Sequence, residues 1–137
     1  MYKATTVMRG NHHFESTVDG QSVLMDTGSE QKAGQSPMEL LLSAVSGCAS
    51  VDVVEIMQKK RRTVAGLIVE TQAERREEPF PKIFTQFHLH FKLQSPDAKA
   101  AELEQAVALS MDKYCSVAGA LRGSAQITHS CEVIAAP

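Results

Sequence analysis

The chain has 137 residues, 14 lysines and arginines against 16 aspartates and glutamates, a formal net charge of −2, and three cysteines. One domain spanning residues 1–137 is expected, with enough apolar material for a core. The near-neutral balance gives no footprint for nucleic acid or an anionic membrane, and the odd cysteine count argues against a secreted disulfide scaffold, so reduced thiols in the cytoplasm are expected.

The opening MYKATTVMRG has no continuous apolar run, and no signal peptide is expected. Residues 2–8 are rich in β-formers and predict a first strand; RGNHH, with His12 and His13, reads as a polar turn. Phe14–Val18 and Gln21–Met25 predict a hairpin around Asp19-Gly20. A polar loop, residues 26–35, leads to the longest helix candidate, SPMELLLSAVSGCASVDVVEIMQKKRR from Ser36 to Arg62. Ser36 can cap it, Pro37 suits its first position, and Glu39 completes a capping box. Lys59 to Arg62 place positive charge at the negative end of the dipole and read as a solvated helix end.

This helix is apolar nearly all round, so burial on several sides is expected. Asp52, Glu55 and several serines interrupt it, and its charge-free part, Leu40 to Val51, is too short to cross a bilayer. A chain of this length has limited material to surround such a helix. A second subunit is the natural cover, and an obligate homodimer is expected.

Thr63–Arg75 alternates as a strand, EEPFP turns, and Ile83–Leu93 alternates strongly as another. Asp97–Tyr114 predicts an amphipathic helix on Ala100, Leu103, Val107 and Met111, with Cys115 directly after it. Val117–Leu121 reads as a short helical turn and Ala125–Ile134 as a last strand. The order βββ-α-ββ-α-β implies an α+β fold, an antiparallel sheet packed on a long buried central helix.

Cys48 and Cys115 stand in different elements, so they form no CxxC pair. As a pattern they read as two buried structural cysteines or as a reactive pair. Cys48 gains nothing from a helix N-terminus, and apolar surroundings raise a thiol pKa. A nucleophile there needs a cation from elsewhere in the chain or from a partner subunit. His88 and His90 share one strand face; His129 and Cys131 share a face of another. They would make a metal site only if the two strands converged. Surface histidines and a packing role for Cys131 are the simpler reading, and no metal is expected.

The segments SPMELLLSAVSGCASVDVV and KYCSVAGALRGSAQI together resemble the OsmC/Ohr family of organic-hydroperoxide reductases. ERREEPFPKIFTQFHLHF and ITHSCEV resemble its YhfA-like branch in particular. The resemblance implies an intertwined α+β homodimer with the long helices at the interface. It also implies a thiol-dependent peroxidase, with Cys48 attacking the hydroperoxide and Cys115 resolving the sulfenic acid to a disulfide. An external dithiol, a lipoyl group in relatives, would reduce that bond, and no bound cofactor is implied. Relatives activate the thiolate with an acid directly after the helix-opening proline and an arginine from the hairpin or the pre-helix loop. Here Met38 takes the acid's place. Glu39 follows it, nine residues from Cys48 and so about 180° around a regular helix. Arg9 is the hairpin candidate for the arginine, Lys32 the loop cation, and Arg122 a further cation near Cys115 in sequence. An alternative is a dimer of the same fold that binds a small apolar or reactive-sulfur ligand; another is a structural protein with inert thiols.

Overall fold

The computed structural model describes residues 1–28 and 30–135; Ser29 of the expected pre-helix loop, Ala136 and Pro137 lie outside the described residues. The elements are β1 (Ala4–Gly10), β2 (His13–Val18), β3 (Gln21–Asp26), α1 (Pro37–Lys59), β4 (Gly66–Arg75), β5 (Phe84–Gln94), α2 (Ala100–Leu109), a π-helical turn (Ser110–Tyr114), α3 (Ser116–Leu121) and β6 (Gln126–Ile134). This is the expected α+β order. The backbone gathers into two compact units, Met1–Leu41 and Leu42–Pro137.

In the first unit β1, β2 and β3 form an antiparallel meander. Asp19 and Gly20 both have positive φ, 48° and 77°, as a two-residue type I′ hairpin requires. Gly34 is needed for a close approach: a Cβ there would overlap the Leu24 carbonyl. The start of α1 carries the expected capping box. The Glu39 N–H donates to the Ser36 hydroxyl at 3.1 Å, and the Ser36 N–H donates to the Glu39 carboxylate at 2.8 Å.

In the second unit the sheet order is β4-β5-β6. β4 and β5 pair antiparallel, but β5 and β6 pair parallel. The sheet is therefore mixed, where an antiparallel one was expected. The crossover through α2 and α3 returns β6 in the direction of β5, as a parallel pair needs. β5 shows the alternation read from its sequence: Phe87, Leu89, Phe91 and Leu93 are buried, while His88, His90 and Lys92 are partly exposed. They share one core with Val45, Ala49, Val53 and Met57 of α1 and with Leu103, Ala106 and Val107 of α2.

The four α1 core residues recur every fourth position, so they form one stripe. Within a single chain α1 thus buries one side rather than several, and Val51 stays 58 % exposed. The helix ends in a Schellman motif built on arginine instead of glycine. Arg61 is left-handed (φ 63°), its N–H reaches the Gln58 carbonyl, and the Arg62 N–H reaches that of Met57. The basic run is not simply solvated. Lys60 donates to Gln105 at 2.5 Å, and Arg62 holds Glu102 through both oxygens at 2.9–3.1 Å. These bonds tie the end of α1 to α2.

Replacing Phe91 by alanine should cost about 3–5 kcal/mol, because the fully buried ring leaves a cavity among close-packed neighbours. Phe80→Ala, at a position 81 % exposed, should stay within about 0.5 kcal/mol. Urea unfolding of the two variants checks the contrast.

Candidate functional site

The helix expected over residues 97–114 does not run through regularly. After Leu109 it widens into the π turn, where the Cys115 N–H bonds the Ser110 carbonyl five residues back at 2.7 Å. Turns of this kind occur mostly as single insertions, frequently at functional sites. The Arg122 guanidinium donates to the Met111 carbonyl and so braces the turn from α3's far end. The extra residue in the turn brings Cys115 to the N-cap of α3, where its sulfur accepts the Ala118 N–H at 3.4 Å.

There Cys115 meets α1. The sulfurs of Cys48 and Cys115 and a carboxylate oxygen of Asp52 all lie within 4.8 Å of one another. Cys48 and Asp52 are four residues apart and therefore share a helix face. Ser110, fully buried, donates its hydroxyl to Asp52 Oδ2 at 3.0 Å and stands 3.3 Å from the Ala49 carbonyl. It locks the α2 end onto α1 and fixes the carboxylate. Asp52 also lines a hollow of about 310 Å³ with Glu55, Ile56, Lys59, Leu109 and Tyr114. All three cysteines are free thiols.

The two thiols differ. Cys48 is half-buried and Cys115 only 4 % exposed. Burial above all pushes the Cys115 thiol up to about 11. The Ala118 N–H opposes this, and Cys48 and Asp52 add to it. Cys115 is thus a protonated thiol at neutral pH, which leaves Cys48 as the more accessible sulfur. A disulfide needs sulfurs at 2.03–2.05 Å, so closing the pair requires an approach of at most about 2.8 Å.

The other residues singled out from the sequence are placed as follows. Glu39 accepts Lys32 Nζ at 2.5 Å and the Ser36 N–H, which hold its pKa down to about 2. Arg9 is paired with Glu15 at 2.7 Å within the first sheet. His88 bonds Thr128 Oγ1 at 2.7 Å; His90 bonds Ser130 Oγ at 2.6 Å and Glu132 at 3.2 Å. β5 and β6 are neighbours after all, but the register sets His88 and His90 opposite Thr128 and Ser130, and Leu89 and Phe91 opposite His129 and Cys131. The two donor pairs therefore occupy opposite faces of the sheet, and they do not converge. A second hollow, about 280 Å³, is lined by Gln72, Glu74, Gln86 and His88 among others and holds no thiol. Sequence reasoning missed Asp52 and Ser110. The spacing of four from Cys48 was a usable signal for Asp52; Ser110 had none, because its role depends on the π turn.

The carboxylate of Glu39 should titrate near pH 2 and move upward in Lys32→Met, as followed by carboxyl-carbon NMR. Because its folded pKa is lowered, its contribution to stability is present above the ordinary value of 4.5 and is lost as pH falls towards 2. For the buried thiol the sign is opposite. The stability it contributes holds below the ordinary thiol range and is lost as pH rises through about 11. In Cys131→Ser protein, thiolate absorbance should show this high step, and Asp52→Asn should lower it.

A family model described as OsmC-like protein matches residues 28–130. The chain is 48 % identical over 120 residues to Protein YhfA of Escherichia coli K12, covering 88 % of each. It superposes on the crystal structure of a hypothetical protein from Aquifex aeolicus with a TM-score of 0.88 and 29 % identity, covering 100 % of this chain and 98 % of that one. The organic hydroperoxide resistance protein OhrB of Bacillus subtilis, 15 % identical with a TM-score of 0.66 over 96 % of this chain and 98 % of its own, shares the fold.

Proposed function

We propose that this chain, which belongs to the OsmC-like family, is a thiol-dependent peroxidase that reduces organic hydroperoxides. The observation that carries the reading is the approach of the Cys48 and Cys115 sulfurs to within 4.8 Å from two distant segments. Inert packing cysteines have no need to meet. The more accessible Cys48 is the attacking sulfur and the buried Cys115 the resolving one.

As a thiolate, Cys48 bonds to the distal oxygen of the hydroperoxide. The O–O bond breaks, and the alkoxide takes a proton and leaves as an alcohol. The resulting sulfenic acid condenses with the Cys115 thiol to a disulfide and releases water. Asp52, whose carboxylate lies within 4.8 Å of both sulfurs, takes the Cys115 proton and passes it to the departing hydroxyl, which leaves as that water. An external dithiol, lipoyl-like by analogy with relatives, then takes up the disulfide by exchange and is itself oxidised. The hollow beside Asp52, with Ile56, Leu109 and Tyr114, suits an organic group better than hydrogen peroxide. A thiolate at Cys48 needs a cation. Arg9, the hairpin candidate from the sequence, is engaged by Glu15 in the first sheet, and we assign it no step. Glu39 serves the capping box, and we assign it no step.

We assign the working unit as a homodimer in the cytoplasm. Its support is the outer face of α1, where Ala44, Gly47 and Val51 are exposed and a Cβ at Gly47 would meet nothing within 4 Å. Small residues let a second helix approach closely. By length and composition alone α1 could cross a bilayer, but its stripe, buried in one core with residues of β5 and α2, fits a core helix.

Cumene hydroperoxide added to reduced protein should consume the Cys48 and Cys115 thiols, spare Cys131, and leave a Cys48–Cys115 disulfide in a peptide map. Cys48→Ser should abolish peroxide consumption, and Cys115→Ser should leave a sulfenic acid that dimedone traps. Thiols unchanged under excess hydroperoxide would refute the reading. Separately, Val51→Asp should shift the sedimenting species from two chains to one; an unchanged mass would remove α1 from the interface.

A further inference from the structure

We infer that Cys48, Cys115 and Asp52 also form a binding site for a thiophilic divalent cation of the zinc class. The inference goes beyond the peroxidase reading and rests on the same atoms. Two sulfurs and a carboxylate oxygen within 4.8 Å are the one such group of three histidine, cysteine or acidic donors among the described residues. Tetrahedral zinc holds sulfur at about 2.3 Å and carboxylate oxygen at about 2.0–2.2 Å, which sets two sulfur ligands about 3.8 Å apart. The two sulfurs therefore stand at most about 1 Å beyond that separation.

The donors stand on rigid elements. Cys48 and Asp52 come from one face of α1, in the i, i+4 arrangement that lets two side chains grip one ion. Cys115 is fixed by the π turn and the start of α3. The Ser110 hydroxyl holds Asp52 as the hydrogen-bonded partner of a metal ligand does. Three protein ligands leave the fourth position to water or to a small ligand, the arrangement of catalytic rather than purely structural zinc sites. Sulfur donors select zinc-like ions over magnesium and calcium.

Each thiol exchanges its proton for a bond to the metal, so the fully ligated ion releases two protons and no electrons move. Bound metal and disulfide exclude each other. A metal-loaded chain therefore keeps both sulfurs reduced and withholds Cys48 from peroxide.

The test is titration of the reduced, oxygen-free protein with Cd²⁺, read by the ultraviolet sulfur-to-metal charge-transfer band. One equivalent per chain should saturate the band, Zn²⁺ should displace it, and Mg²⁺ should not. Cys131→Ser should leave stoichiometry and affinity unchanged, whereas Asp52→Asn should weaken binding by roughly tenfold or more. Absence of the band, or its persistence in Cys48→Ser, would overturn the site. Peroxide-driven disulfide formation in metal-free protein is scored separately: if it proceeds while Cd²⁺ fails to bind, the metal site alone is refuted. If Cd²⁺ binds while peroxide leaves the thiols untouched, the peroxidase reading alone falls.

Discussion

The burial of one α1 stripe in a common core with the inner residues of β5 governs the second unit. Val45, Ala49, Val53 and Met57 turn inward together and are buried in one cluster with Phe87, Leu89, Phe91 and Leu93. Cys48 directly precedes Ala49, so it stands at the margin of the buried stripe and not in its centre. That margin is where a thiol is half-covered yet reachable. Asp52 occupies the equivalent margin one turn on, immediately before Val53. The core therefore decides the site: any rotation of α1 that kept the stripe buried less well would also carry Cys48 and Asp52 away from Cys115.

Most of this architecture was legible in the chain. The alternation of Phe87 to Leu93 announced a half-buried strand, Asp19-Gly20 a tight hairpin, and Ser36-Pro37-Met38-Glu39 a helix start, because each is a local pattern with a local cause. The parallel partnership of β5 with β6 was not legible, since strand direction depends on where a crossover returns. The interruption of the second helix was hidden for a different reason. Ala100, Leu103, Val107 and Met111 keep helical spacing, and nothing in SMDKYC signals a five-residue hydrogen bond. The meeting of the two thiols was implied only by resemblance to a family; spacing alone had left it open. Asp52 had looked like an interruption of an apolar helix, when its distance from Cys48 placed it on the same face.

The electrostatics of the site pull two ways. Burial and an adjacent carboxylate favour the neutral thiol at Cys115. A peroxidase needs at least one of them ionised. A cation resolves the conflict in either chemistry: a guanidinium would hold a thiolate for attack on peroxide, and a soft metal would hold both sulfurs against it. The two outcomes draw on one set of atoms, and the protein's redox state and metal supply would select between them.

The pairing of β6 beside β5 carries a consequence for assembly. Gln126 and Thr128 must find partners 40 residues upstream, across the segment that contains Ser110 and Cys115. Such long-range closure is slow relative to the local β4–β5 hairpin. A chain emerging during synthesis would form that hairpin and present Cys48 well before its partner sulfur was anchored. The Cys48–Cys115 pair would thus assemble late, and in the interval Cys48 would stand without its neighbouring sulfur.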